Sequence, residues 1–373
     1  MPDMPRVLIV GAGIAGLSTA WALARRGYAV EVFEQGPVPN PRASSYDEHR
    51  ITRHVYGSTG YAELMPHAFA LWDRLFADIG TRHFDPLPLL VLQRERDAWF
   101  ASSKASLDSL NVPYRAVQVE TLAESYPMLS TEGVSAAFVC EGAGVLFPIR
   151  ILIDLSVHLA SLGVVFHANT KVTAVDLDAG TVTVDGGVRS GDVVVVAAGA
   201  WAERLVPALR ALATPSRQAV LFLAPPPALA DAWRDAPVIL DIGAASGTYA
   251  LPPRPGTRLK IGDHLFTRIG DPDDDRLAME EDLAQLFDAA RLAFRDFDAY
   301  RILERKICYY TVTDDERFVV RPLGRAGYIQ SACSGHGFKL GPLIGEGVAR
   351  AIAGETAAGD LAEWAAARPV RVA

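Results

Sequence analysis

Four consecutive apolar residues, Val7-Leu8-Ile9-Val10, run into Gly11-Ala12-Gly13-Ile14-Ala15-Gly16. An unbroken apolar run followed by glycines predicts a buried strand that turns sharply into a helix beginning near Ile14. Ala29-Val30-Glu31-Val32-Phe33 reads as the next parallel strand, with Glu34 at its tip. Between 149 and 162, Ile149, Leu152, Ile153, Leu155, Leu159 and Leu162 recur at helical spacing and stop at Gly163. Short β-branched runs follow at 164–166, 172–175, 181–184 and 193–196. The last of these leads into Ala197-Ala198-Gly199-Ala200-Trp201, small residues that let backbone approach a ligand. Residues 86–140 and 216–317 mix strand-like runs with Pro-rich turns and an acidic helical stretch near 272–299. Tyr328–Ala332 reads as a strand returning to the first sheet, and a helix is expected from about Leu340 to Ile352.

The opening strand, turn and helix carry the first chemistry. Gly11 permits the turn, Gly13 lets backbone approach a pyrophosphate, and Gly16 allows the helix to pack closely on the strand. The helix N-terminus offers N–H groups and a positive dipole end to phosphates. Glu34 is placed to accept both ribose hydroxyls and would repel a 2′-phosphate, so a dinucleotide other than NADP is expected. A strand this early in the chain favours a resident flavin, although NAD enzymes also begin this way. The pattern divides into a discontinuous dinucleotide-binding domain (1–85, 145–215 and 318–373) and a substrate domain inserted in two pieces (86–144 and 216–317).

A formal net charge of −8 argues against nucleic acid or an anionic membrane as partner. No apolar run is long enough to span a bilayer, because the glycines at 11, 13 and 16 interrupt the best one. A secretion signal would have to overlap the glycine turn, so a cytoplasmic location is expected. Cys140, Cys308 and Cys333 fit neither a zinc site nor a disulfide framework and read as small buried hydrophobes. The run Asp271–Asp275 reads as a solvated turn and helix start, and no metal is expected.

Four further clusters hold the remaining polar chemistry: His49-Arg50-Ile51-Thr52-Arg53-His54-Val55-Tyr56-Gly57, Leu259-Lys260-Ile261-Gly262-Asp263-His264, Lys306-Ile307-Cys308-Tyr309-Tyr310-Thr311 and Ser334-Gly335-His336-Gly337-Phe338-Lys339. Arg50 and Arg53 read either as a solvated basic face or as planar forks for a carboxylate. Lys260 reads either as an edge-strand lysine or as an ammonium that stabilises charge on oxygen. His264, four residues on, would titrate near neutrality in the same cleft.

Taken in order, these clusters resemble the monomeric sarcosine oxidase and N-methyltryptophan oxidase family, FAD-dependent amine oxidases related to D-amino-acid oxidase. The resemblance implies an α/β fold: a Rossmann-like FAD-binding domain with an inserted α+β substrate domain on a mostly antiparallel sheet. It also implies that Arg53 and Lys339 hold the substrate carboxylate, that Arg50 lies beside the flavin, and that Lys260 activates oxygen. Cys308 matches the cysteine bonded to the 8α carbon of FAD, so a covalent flavin is expected. Tyr249 and Tyr310 match positions near the substrate. Ser45 and Val172 match contacts to the cofactor's phosphates and adenine. Gly11, Gly13, Ile14, Ala15, Gly16, Glu34, Gly199, Trp201, Gly335, His336, Gly337 and Lys339 complete the expected cofactor set. Asp263 departs from the family, which typically has tyrosine there, and bears on which amine fits.

The expected reaction oxidises a secondary amine or amino acid, N-methyl or cyclic, to an imine with hydrogen peroxide as co-product, and a monomer is expected. The rival readings are a dehydrogenase of the same fold feeding a protein acceptor, an aromatic-type monooxygenase, and a flavin-binding subunit without chemistry. A monooxygenase would carry Gly-Asp-Ala where this chain has Cys333-Ser334-Gly335-His336-Gly337.

Overall fold

The computed structural model describes residues 4–242 and 247–369. The apolar opening run forms the strand Arg6–Val10, followed by the helix Ile14–Ala24 and the strand Ala29–Phe33. They belong to a six-stranded sheet in the spatial order Val319–Leu323, Gly327–Ser331, Val193–Val196, Arg6–Val10, Ala29–Phe33, Val165–His167. Every neighbouring pair is parallel except the edge strand Val319–Leu323. Val7, Leu8 and Ile9 are fully buried, as the inner strand of a sheet covered on both faces requires.

The helices Ile14–Ala24 and Gly337–Ile352 pack together on one face with almost no space between them. A Cβ at Gly341 would fall 2.5 Å from Ile14 Cγ1, and one at Gly345 would fall 2.6 Å from the backbone carbon of Ser18. Gly11 has φ +108, and a Cβ there would also collide with the Ala197 carbonyl. A Cβ at Gly16 would collide with the Gly11 carbonyl, so these two glycines set how closely strand, turn and helix nest.

Segments 89–140 and 214–312 supply an eight-stranded sheet, ordered Arg301–Val312, Thr214–Ala224, Leu259–Asp263, Thr248–Leu251, Val238–Ile242, Leu89–Gln93, Ala136–Cys140, Tyr114–Val117. Only the pair Val238–Ile242 with Leu89–Gln93 is parallel. The helix Glu280–Ala293 covers one face over a core that includes Trp233, Phe294 and Tyr300. A three-stranded sheet, Arg50–Arg53, Ala143–Leu146 and Phe84–Pro86, is the third substantial sheet.

Two sequence expectations need correction. The closing helix starts at Gly337, ahead of Leu340. The acidic stretch is helical only over Glu280–Ala293. Residues 271–275 are instead drawn onto cations and an indole. Arg204 pairs with Asp271 and Asp273, and Trp201 Nε1 donates to Asp273 Oδ1 at 2.7 Å. These tertiary contacts override the local helical pattern.

The interlocked helix pair makes a testable demand. Gly345→Val forces backbone apart and should cost about 2–3 kcal/mol, the upper part of the usual overpacking range. Urea denaturation should show a lower midpoint with an unchanged slope.

Candidate active site

A cavity of about 210 Å³ runs from the glycine turn to the loop before the closing helix. Gly11, Gly13, Ile14, Ala15, Glu34, Ser45, Val172, Gly199, Trp201, Gly335 and Gly337 all line it. Gly16 does not; its role is the packing described above. Glu34 is buried, and its carboxylate already accepts Ala12 N (3.0 Å), Gly36 N (3.1 Å) and Asn40 Nδ2 (2.8 Å). A carboxylate has about four lone-pair sites, so Glu34 keeps capacity for one further hydroxyl. Ser45 Oγ accepts the Ile14 N–H at 3.0 Å, while other first-turn amides lack helical partners. A glycine-floored trough, a helix N-terminus and a carboxylate at the strand tip together suit FAD.

A second cavity of about 60 Å³ adjoins the first, and Arg50, Tyr310, Gly335 and Phe338 line both. Arg53, Tyr249, Lys260, Asp263, His264, Phe266, His336 and Lys339, with the apolar Ile51, Leu240 and Leu251, complete its wall. The strand Leu259–Asp263 delivers Lys260 from the sheet interior, between Thr214–Ala224 and Thr248–Leu251. Lys260 is 1% exposed, which excludes the edge-lysine reading. Gly262 leaves room for Tyr249, whose Cζ lies 2.5 Å from where a Cβ would stand.

Charge in this cavity is unevenly paired. Arg53 is buried, and its Nε and Nη1 have no hydrogen-bond partner. Its guanidinium lies 4.7 Å from the Tyr56 ring centre and 5.6 Å from that of Trp99. Lys339 Nζ lies 5.5 Å from the same Tyr56 ring. No carboxylate pairs with either cation among the described residues. Burial first, then the charge of Arg53, pushes the Lys339 ammonium well below its ordinary range. Burial alone lowers Arg53. Two desolvated cations with free donors make a receptor for an anion.

Lys260 and Arg50 are different, because both rest on Asp47. Lys260 Nζ donates to Asp47 Oδ2 at 2.5 Å, and Arg50 Nη2 lies 3.0 Å from the same oxygen. Burial opposes the Asp47 charge, but Arg50 and Lys260 outweigh it and hold the carboxyl well below the usual range. Burial and the Arg50 charge bring Lys260 down to about 8 despite Asp47. Arg50 also donates to Tyr310 Oη at 3.3 Å and to the Ser44 carbonyl at 2.7 Å.

His264 presents its ring to the open cavity, yet the surrounding walls, then Arg53 and Lys339, hold it below the ordinary histidine range. The His336 ring is occupied by Tyr56 Oη at 3.2 Å and the Glu316 carbonyl at 3.1 Å, which makes it a wall of the cavity. Burial raises Asp263 to about 6, the Leu265 N–H only partly offsetting it. Cys308 is buried on the strand Arg301–Val312, close enough to influence Arg50, Tyr249, Lys260 and Tyr310. It is absent from the lining of both cavities.

Cys140 lies in a separate core, whereas Cys333 lines the first cavity and so departs from the buried-hydrophobe expectation. Asp314 is exposed and pairs with Arg268, outside both cavities. Asp47, Trp99 and Phe266 were not singled out by sequence reasoning. Only Asp47 carries a local signal, an acid three residues before Arg50. Among the described residues, no group of three or more His, Cys, Asp or Glu could hold a metal, and no helix is long and apolar enough to cross a membrane.

Lys339 supplies a test of the uncompensated charge. Because its folded pKa lies below the unfolded value, the unfolded chain binds more protons between the two, so stability rises with pH there and is lost as pH falls through the folded value. Lys339→Met should flatten that slope and gain about 1 kcal/mol at neutral pH. Thermal unfolding followed across pH checks both.

Residues 6–351 match the family described as FAD dependent oxidoreductase. N-methyl-L-tryptophan oxidase of Yersinia pestis (strain Pestoides F) is 26% identical over 352 residues, covering 91% of this chain and 92% of the relative. The L-proline dehydrogenase of P. horikoshii shares the fold, with a TM-score of 0.82, 22% identity and 98% of each chain covered. Fructosamine oxidase from Aspergillus fumigatus superimposes with a TM-score of 0.81 at 21% identity, covering 100% of this chain and 93% of that one. The chain belongs to the FAD-dependent oxidoreductase family.

Proposed function

We propose that this protein oxidises an N-substituted amino acid, N-methyl or cyclic, to the imine and reduces oxygen to hydrogen peroxide. The observation that carries this reading is the pair Arg53 and Lys339, buried without an anion in a cavity that opens onto the FAD trough. A substrate carboxylate satisfies both charges and fixes the amine relative to the shared wall of the two cavities. FAD, held by the glycine turn, Glu34 and Ser45, supplies the two-electron acceptor. His264, neutral at working pH, can accept a hydrogen bond from the amine, and the burial and the Arg53 and Lys339 charges that keep it neutral also favour the unprotonated amine. Phe266, Phe338 and Tyr249 narrow the cavity and exclude water. The Lys260 ammonium stabilises negative charge arriving on oxygen in a desolvated setting.

The reading extends to a flavin linked through Cys308, supported by its place on the strand Arg301–Val312 directly before Tyr309 and Tyr310, which line the first cavity. It extends also to a monomeric, cytoplasmic enzyme, and to the division of the chain into the cofactor and substrate pieces given above. The separate six- and eight-stranded sheets support that division. A dehydrogenase that feeds a protein acceptor is the alternative, favoured by the shared fold of the P. horikoshii enzyme. The buried Lys260 weighs against it.

A panel of N-methyl and cyclic amino acids should yield peroxide in step with substrate loss; no peroxide across the panel would sink the proposal. Lys260→Met should slow reoxidation by oxygen about 10²–10³-fold, the usual loss for one preorganised electrostatic donor, while anaerobic reduction by substrate persists. Stopped-flow absorbance of each half-reaction separates oxidase from dehydrogenase. An acid-precipitated pellet should be yellow and fluorescent in ultraviolet light, and that of Cys308→Ala colourless.

A further inference from the structure

We propose that Asp47 is a positioning residue that holds Lys260 both in place and in its charged form, so that the charge available to the oxygen half-reaction is set from outside the substrate cavity. The inference rests on the role given to Lys260 above. Asp47 itself lines neither cavity. It lies just ahead of the strand Arg50–Arg53, and its carboxylate reaches across to the strand Leu259–Asp263 of the large sheet. Both partners of the ion pair are almost wholly buried, at 1% and 2% side-chain exposure. Both carboxylate oxygens are engaged: Oδ2 serves Lys260 and Arg50, and Oδ1 accepts the Glu48 N–H at 2.8 Å.

The surroundings make Asp47 the deciding charge. Arg50 faces Lys260 from the small sheet, and Lys306 is held near Asp47 by donating to the Tyr46 carbonyl at 2.6 Å. His49 is fully buried and is kept to about 4 by burial and then by Lys260, so it adds no positive charge at working pH. Tyr249 and Tyr310 are pushed up by burial and stay neutral. Cys308, buried on the strand Arg301–Val312, is the remaining group whose charge would act on the ammonium. The face of the Phe222 ring lies 5.9 Å from the ammonium and gives a weak cation–π contact but no anionic acceptor. Among the described residues Asp47 is therefore the carboxylate that compensates Lys260. With Asp47 neutral, Lys260 meets Arg50 and a dry environment with nothing opposed to them, and both effects favour the uncharged amine.

The test uses the holoenzyme and needs no turnover. Oxidised-flavin absorbance titrated with pH should show, in the parent, a transition that Lys260→Met abolishes. In Asp47→Asn it should move down by about one pH unit or more, a tenfold loss of proton affinity. Asp47→Ser, a second neutral variant, should show the same shift, and Asp47→Glu should largely restore the parent value. Reoxidation by oxygen should fall in Asp47→Asn at the parent's optimal pH and recover as the pH is lowered. A transition that stays at the parent position in either neutral variant, even with lowered thermal stability or flavin content, overturns the proposal as a merely structural role. So does the lack of any Lys260-dependent transition in the parent. If Lys260→Met leaves reoxidation intact, the oxygen role of Lys260 fails, while the titration still judges Asp47.

Discussion

Moving an ammonium or guanidinium out of water costs several kcal/mol unless an anion accompanies it, and this chain does so for Arg50, Arg53, Lys260 and Lys339 within adjoining cavities. Two of the four share the Asp47 carboxylate, and two are left open. That asymmetry is a division of labour. The open pair has no carboxylate partner among the described residues, which suits the anionic substrate proposed above, and the closed pair already has one. A scaffold that tolerates both must be stiff, since a mobile wall would let Arg53 and Lys339 turn to solvent. The mixed eight-stranded sheet, the interlocked helices and the Trp72 indole, which donates to the Lys339 carbonyl at 2.8 Å, supply that stiffness.

Much of the cofactor side was legible in the chain because its determinants are local. The strand, glycine turn, helix and acidic strand tip lie within residues 6–34, and their spacing is the motif. The cationic site was not legible from periodicity. Lys260 could read as an edge lysine because strand order is invisible in sequence; pairing with Thr214–Ala224 and Thr248–Leu251 decides it. Family resemblance drew attention to Arg53 and Lys339, but only the fold shows that among the described residues they meet aromatic rings and no carboxylate. Asp47 was missed because its meaning depends on a lysine 213 residues away. The misplaced helix over 272–279 has the same origin: Arg204 and Trp201, distant in sequence, capture aspartates that locally look like a helix start.

Lys339 belongs to the first turns of the helix whose Gly341 and Gly345 mesh with Ile14–Ala24, and that second helix begins at the glycine turn. Gly341 meets Ile14 and Gly345 meets Ser18, so the helices run parallel, and the buried Lys339 and the glycine turn lie at the same end of the pair, with steric meshing rather than a loop between them. The arrangement works as a caliper whose jaws are locked at one opening. A bulkier ligand cannot be admitted by sliding the anchor, so any change in size must be absorbed across the cavity, where His264 and Phe266 sit on irregular backbone. Under the function proposed above, the irregular backbone that carries His264 and Phe266 is the side of the cavity free to differ in shape.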